Sequence, residues 1–225
     1  TRKDILTNYL NSSFLPDIPL PETLGASTDL AEVVRNCRIL VSSVPSHFTR
    51  EIAKKMRPEI TDEHIIVILS KGIEQHSLAL MSEIFAEELD NLPKLAVLSG
   101  PTFAREVALD LPSAAVLACA DETAGSLLQK CFHSDRFRIY RSTDLVGVQL
   151  GGSIKNVIAI ASGIADGMQL GLNARAALIC RGVAEMSRLG TAMGGSVETF
   201  MGMSGVGDLV LTATGNLSRN HNLGE

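Results

Sequence analysis

His64-Ile65-Ile66-Val67-Ile68-Leu69-Ser70, stopped by Lys71-Gly72, is the stretch on which the fold turns. A short continuous apolar run that ends on a turn signal suits a strand buried on both faces. Three further runs have the same character. They are Arg38-Ile39-Leu40-Val41-Ser42-Ser43-Val44 before Pro45, Leu95-Ala96-Val97-Leu98-Ser99 before Gly100-Pro101, and Ser113-Ala114-Ala115-Val116-Leu117-Ala118. Amphipathic helical stretches lie between and after them: Asp29 to Asn36, Ser46 to Lys55, Ser77 to Leu89, and Asp121 to Cys131 with Asp121 as N-cap. Strands alternating with helices predict βαβ units and a parallel, doubly wound sheet of the α/β class. Such sheets bind ligands outside the carboxyl ends of their strands. Here those ends are Val44-Pro45-Ser46, Ser70-Lys71-Gly72 and Ser99-Gly100-Pro101-Thr102, three polar or glycine-rich segments on one edge.

The pattern changes at Arg141-Ser142-Thr143. Helical periodicity and small residues dominate beyond it: Thr143 to Asp166, Asn173 to Leu189 with Gly190 as its stop, Ser196 to Met201, and Asp208 to Thr214. The expected organisation is a first domain over 1–142 and an all-α second domain over 143–225. The glycine-rich fingerprint GxGxxG does not occur; Gly205-Val206-Gly207 supplies only a GxG, in the helical half.

The chain's 225 residues and 24.0 kDa suffice for one large domain or two small ones. A net charge of −5 gives no electrostatic footprint for nucleic acid or an anionic membrane, although a few local cations can still hold a small anion. Cys37, Cys119, Cys131 and Cys180 are scattered without a CxxC pair, and no histidines are spaced as HExxH, so no metal site is expected. Reduced thiols, no signal peptide and apolar runs broken by glycines predict a cytoplasmic protein without membrane insertion.

The run Val146 to Ile164, VGVQLGGSIKNVIAIASGI, carries one charge, Lys155. An ammonium taken out of water is paired or kept for chemistry, and desolvation lowers its pKa toward the range useful for proton transfer. The alternative is a lysine snorkelling to a helix end. Gly151 and Gly152 just upstream leave room for another backbone or a ligand. Lys71, at a strand end, is either a solvated loop lysine or a cation aimed at the ligand edge. The Ser99-Gly100-Pro101-Thr102-Phe103-Ala104 turn either presents N–H groups and a hydroxyl to an anion or simply joins strand to helix. Asp208 reads as an N-cap or as a ligand carboxylate, with Thr212 one helical turn on and on the same face. Ser218-Arg219-Asn220 sets a guanidinium fork beside an amide, which suits phosphate oxygens, though surface arginines are common.

Five segments in order, NSSFLPDIPLPETL (11–24), SKGIE (70–74), VLSGPTFAREV (97–107), GGSIKN (151–156) and MSGVGDLVLTATGNLSRN (203–220), closely resemble bacterial NAD(P)-dependent glycerol-3-phosphate dehydrogenases. The resemblance implies a Rossmann-like nucleotide-binding domain followed by an all-α substrate domain. Both would be truncated, the first lacking its opening βαβ unit with the glycine-rich turn and the second its C-terminal part. It implies reversible hydride transfer between NAD or NADP and dihydroxyacetone phosphate, giving sn-glycerol 3-phosphate for phospholipid synthesis.

In that family the position of Lys155 is the proton donor and acceptor at C2 of the substrate, and that of Lys71 touches both substrate and cofactor. Asn156, Asp208 and Thr212 match residues around the reacting end. Ser218, Arg219 and Asn220 match the phosphate end, with Arg219 also near the cofactor. Gly100 and Thr102 would line the substrate side of the cleft, Ala104 would face the cofactor, and Phe48 would pack against the dinucleotide. The residue that selects NAD over NADP is not in this sequence, so both stay open, and a homodimer is the implied assembly. Another two-domain hydroxyacid or sugar-acid dehydrogenase is the rival enzyme, disfavoured by Arg219-Asn220 together with the SGPTFA turn. A catalytically silent binding protein is the rival class, in which the missing glycine-rich turn is real. Against it, Lys71, Lys155, Asp208 and Arg219 occur together.

Overall fold

A computed structural model describes residues 2–90 and 93–225. In chain order its elements are α1 (Arg2–Asn8), β1 (Leu10–Asn11), β2 (Leu15–Pro19), α2 (Leu30–Asn36), β3 (Ile39–Ser42), α3 (Thr49–Met56), β4 (Ile65–Ile68), α4 (Met81–Glu88), β5 (Lys94–Ser99), α5 (Ala104–Ala108), β6 (Ser113–Cys119), α6 (Glu122–Phe132) and β7 (Phe137–Ser142). The helical half follows with α7 (Leu145–Gly167), α8 (Leu172–Ala192), α9 (Val197–Met201), α10 (Asp208–Thr214) and α11 (Arg219–Gly224).

Among the described residues the main sheet has five strands in the order β3-β4-β5-β6-β7, while β1 and β2 form a separate antiparallel pair. The alternation of side chains along each strand explains why the sheet is covered twice. Leu40, Ile66, Ile68 and Val97 pack on one face with residues of α2, α3 and α4 and with Val148 of α7. Ile65, Val67, Ala96, Leu117 and Ile139 face the other way, onto Ala124 and Leu128 of α6. Fully burying each isoleucine contributes roughly 1.5–3 kcal/mol, which is why the uninterrupted IIVI of β4 lies inside the sheet, between β3 and β5 and covered on both faces.

The α/β expectation holds, but the sheet is mixed. β3, β4 and β5 are parallel, as are β6 and β7, whereas β5 and β6 run antiparallel. A parallel return needs a crossover helix that spans the sheet. The only helix between β5 and β6 is α5, whose five residues rise roughly 7.5 Å. The chain therefore turns back from the same edge. β7 also forms where a change of character was read, because Phe137 and Ile139 alternate with Arg138 and Tyr140.

α2 and α6 lie within a residue of their expected bounds and Asp121 is the cap expected, whereas α3 begins at Thr49 because a 3-10 turn occupies Ser46–Phe48. Asp29 accepts the Glu32 N–H at 3.2 Å and Asp121 the Ala124 N–H at 2.7 Å, each closing a first turn. α4 begins at Met81 rather than Ser77, since Ile73 and Leu80 pair in a bridge that holds the preceding loop. α8 does not stop at Gly190. It runs to Ala192, and the left-handed residue past its end is Gly194 (φ 95°). Gly190 lies inside the helix because the Phe200 ring fills the space of a side chain, 1.9 Å from where its Cβ would stand.

α7 organises the helical half. Its N-cap Asp144 accepts the Gly147 N–H at 2.7 Å, and its other oxygen takes Ser196 N–H at 2.8 Å and the Thr199 hydroxyl at 2.7 Å, tying α9 to the start of α7. Leu150 and Ile158 of α7 then join Met186, Phe200, Leu209 and Ala213 in a second core. Among the described residues α7 is the one helix long and apolar enough to cross a membrane, and more than half of its apolar window is buried within the protein.

Candidate active site

Three strand ends converge as the alternating pattern predicts. After β4 the chain stays beside β3, with Leu69 N–H on Ser42 O at 2.8 Å and the Ser70 hydroxyl on Val44 O at 2.5 Å. A Cβ on Gly72 would stand 2.5 Å from Ser46 Oγ, so the loops after β3 and β4 touch. Arg50 of α3 then grips Glu74 through two bonds of 2.8 and 2.6 Å, and Glu87 at 2.8 Å and Glu88 hold Arg50 from α4. That ion network fixes the loop that carries Lys71. Beyond β5, Gly100 sits against β6, where a Cβ would come 2.9 Å from the Ala115 Cα. Lys71 Nζ lies 3.4 Å from the Gly100 carbonyl.

The two glycines before Lys155 bring α7 onto this edge. A Cβ on Gly152 would meet Ser99 Oγ at 2.7 Å and the Lys71 stem at 3.4 Å, and one on Gly151 would meet the Ser204 carbonyl at 2.4 Å. Any side chain there would push the helix away from β5 and from the π-helical turn Met203–Gly207. Lys155 follows one turn later, in mid-helix with its side chain 8% exposed, so it is not snorkelling.

Asp208, at the start of α10 with its side chain 2% exposed, receives both lysines. Lys155 donates to Oδ1, and Lys71 donates to Oδ2 at 2.6 Å. The N-cap reading of Asp208 is therefore corrected: Gly207 occupies that position, and the carboxylate is taken up by the lysines. Thr212 completes the cluster as the one-turn spacing predicts, accepting from Lys155 at 2.9 Å and donating to the Asp208 carbonyl at 2.6 Å. Lys71 is ion-paired and 27% exposed, not a solvated loop lysine. Burial and the nearby positive charge of Lys71 pull the Lys155 pKa down to about 8, against the opposing pull of Asp208. Two ammoniums share one carboxylate, which leaves a net positive charge, and a lysine with a pKa near 8 can give or take a proton close to neutral pH.

The other expected residues divide into those joined to this cluster and those apart from it. Asn156, next to Lys155, accepts from Asn220 Nδ2 at 2.8 Å, so α11 meets α7 beside the lysine. Ser218 is buried, and its hydroxyl accepts the His221 N–H at 3.2 Å as the cap of α11. Arg219 is exposed, and its side chain makes no hydrogen bond or ion pair among the described residues. Thr102 is half-buried and donates to Gly100 O at 3.3 Å. Phe48, on the turn after β3, is 47% exposed with its ring tilted against His47, and Ala104 is exposed at the start of α5. Neither takes part in the lysine–carboxylate bonding.

Two buried hydroxyls escaped the sequence reading. Ser99 Oγ, against Gly152, and Ser204 Oγ, in the turn that meets Gly151, have no hydrogen-bond partner among the described residues. No spacing in the sequence announces them. The same holds for His221 and Asp166, whose side chains lie 2.8 Å apart across α11 and α7.

Comparison with known proteins shows the family to which this chain is similar. Residues 1–125 match the model of the N-terminal part of NAD-dependent glycerol-3-phosphate dehydrogenase, and residues 144–225 match that of its C-terminal part. A protein of Citrifermentans bemidjiense named glycerol-3-phosphate dehydrogenase (NAD(P)+) is 52% identical over 219 residues, which is 96% of this chain and 65% of the relative. One of the same name from Oleidesulfovibrio alaskensis is 49% identical, over 98% of this chain and 67% of its own length. The crystal structure of glycerol-3-phosphate dehydrogenase from Coxiella burnetii superposes with a TM-score of 0.95 at 43% identity, covering 99% of this chain and 68% of that one. The chain spans about two thirds of the length of the curated relatives it matches.

Proposed function

This chain belongs to the NAD-dependent glycerol-3-phosphate dehydrogenase family, and on that premise we propose that it carries the catalytic lysine cluster of an enzyme interconverting dihydroxyacetone phosphate and sn-glycerol 3-phosphate. The observation that carries the reading is the buried Lys155, held by Asp208 and Thr212 and brought to about pKa 8 beside a second ammonium.

The residues on the strand-end edge fit a dinucleotide. Phe48 offers a half-exposed aromatic face, Lys71 and Arg219 offer cations, and Ala104 is a small exposed residue at the mouth of the turn after β5. Bound there, NADH or NADPH would supply the hydride that reduces the carbonyl at C2. The glycine-rich pyrophosphate cradle is not in this sequence, so these residues account for the nicotinamide side alone.

The chain's own part is binding and proton transfer. Arg219 and Asn220 hold the substrate phosphate, and Lys71 polarises the C2 oxygen. Lys155, protonated at neutral pH, donates its proton to the alkoxide that develops at C2; as the neutral amine it removes that proton in the reverse direction. Asp208 keeps both ammoniums in place, and Thr212 fixes the direction of the Lys155 headgroup. Buried groups held in this way need little rearrangement during reaction. Gly100, Thr102 and Asn156 line the substrate side, with Ser218 acting through the cap of α11. The domain boundary at 142/143, a cytoplasmic location, a homodimer and a role in supplying the phospholipid backbone belong to the same reading.

Oxidation of NADH and NADPH driven by dihydroxyacetone phosphate tests it in the full-length protein, with Lys155→Ala alongside. Turnover that the substitution abolishes supports both the reaction and the role of Lys155. No turnover with either cofactor, in folded protein, overturns it.

A further inference from the structure

α11 has six residues, too few to be a stable helix by itself, and its position depends on what grips it. Two features press it onto α7. A Cβ on Gly163 would stand 2.0 Å from the His221 carbonyl, and one on Gly224 would stand 2.1 Å from the Ile160 carbonyl. The two backbones are therefore in direct contact, with no side chain between them. Then the side chain of His221, 9% exposed, places Nε2 2.8 Å from Asp166 Oδ2 near the end of α7. Asp166 is in turn paired with Arg175 of α8 at 2.7 Å, and hydrogen bonds from His221 and then Arg175 hold its carboxyl below the usual range. The other ring nitrogen, Nδ1, has no hydrogen-bond partner among the described residues and is 4.0 Å from a Glu225 oxygen. The ring's one well-made bond is the one to Asp166.

His221 directly follows Asn220, which bonds Asn156 at 2.8 Å beside Lys155. The rotation of α11 that seats His221 against Asp166 thus also decides where Asn220 and Arg219 point. We propose that His221 and Asp166, braced by Arg175, form a latch that positions Arg219 and Asn220 for the phosphate end of the substrate. This rests on the glycerol-3-phosphate dehydrogenase reading and adds to it residues that touch neither substrate nor cofactor. Groups that hold the phosphate, remote from the reacting carbon, stabilise bound substrate and transition state alike, so a loosened latch shows in KM and not in kcat.

The test compares dihydroxyacetone phosphate with phosphate-free dihydroxyacetone in the full-length protein. His221→Phe keeps the ring's bulk and removes its hydrogen bond. It should raise KM for dihydroxyacetone phosphate about tenfold or more while kcat stays within about twofold. Turnover of dihydroxyacetone, which has no phosphate to place, should be unaltered. His221→Gln retains a donor for Asp166 and should recover most of the lost affinity. Equal losses on both substrates, or an unchanged KM for the phosphorylated one, would overturn the latch. Should His221→Phe fail to fold, Asp166→Asn carries the same comparison with the same split expected and the same result against it. Wild-type protein inactive on dihydroxyacetone phosphate would sink the functional reading itself; an active wild type with unsplit variants would defeat the latch alone.

Discussion

Lys71 and Lys155 are bridged by one carboxylate: Asp208 gives Oδ1 to Lys155 and Oδ2 to Lys71. The two cations come from different halves of the chain, one from the loop after β4 and the other from mid-α7. Their repulsion is what Asp208 offsets, and what remains of it helps lower the Lys155 pKa. The site is therefore an electrostatic balance of three charges. Changing any one of them has a predictable sign.

Lys71→Gln removes the like charge and moves the Lys155 pKa up from about 8 toward the ordinary 10.5. Oxidation of glycerol 3-phosphate needs the neutral amine, so the rising limb of its pH–rate profile should move to higher pH in the variant. Reduction needs the protonated form and should persist to higher pH. Profiles of kcat in both directions read this out. A limb that stays near pH 8 would show that burial alone, and not Lys71, sets the titration.

The same balance separates two substitutions by stability. Lys155→Met abolishes proton transfer yet leaves Asp208 paired with Lys71, so the folded state should lose little. Asp208→Asn leaves two ammoniums facing each other with one of them buried. Breaking such a pair costs roughly 3–5 kcal/mol. Urea denaturation at pH 7 should rank Asp208→Asn well below Lys155→Met. The opposite order would mean that Asp208 contributes chiefly through catalysis.

The sheet and most helices were legible because their signals are local. Ile65 to Ile68 is apolar on both faces, and Asp29 and Asp121 announce helix starts by their own side chains. The antiparallel β5–β6 pair was not legible as such, since strand direction depends on how far α5 reaches and not on any residue of β6. Lys155, Lys71, Asp208 and Thr212 were each visible as candidates, and Thr212 was linked to Asp208 by a spacing of one turn. That both lysines share the carboxylate was not visible, because it depends on Gly151 and Gly152 seating α7 against residues remote in sequence. Gly190 resembles a helix stop in sequence for the same reason: its partner, Phe200, lies on another helix.

Gly190→Ala therefore tests packing, not helix termination. Alanine is a better helix former by about 1 kcal/mol, which alone would stabilise α8. The added methyl would stand 1.9 Å from the Phe200 ring in a fully buried contact, however, and overpacking of that kind costs typically about 1–3 kcal/mol. A net loss of stability is expected, partly recovered in the double variant Gly190→Ala/Phe200→Leu. A single variant more stable than wild type would show that the ring moves aside freely.

Arg50 supplies the last prediction, because it holds the Lys71 loop through Glu74. The guanidinium, with help from the Ser77 hydroxyl, brings the Glu74 pKa down to about 2 from 4.5. A carboxylate with a depressed folded-state pKa stabilises fully above its unfolded value and loses that contribution as pH falls through the folded one. Arg50→Met should accordingly lower the melting temperature at pH 7. The gap between variant and wild type should narrow as pH falls from 4.5 toward 2, as the wild type loses the same clamp. Turnover should also fall at neutral pH, since a loop freed from Glu74 no longer holds Lys71 against Asp208. Melting curves at pH 7 and in the acid range check the first part. A gap that does not change with pH would assign Arg50 a packing role, with its ion pairs contributing little.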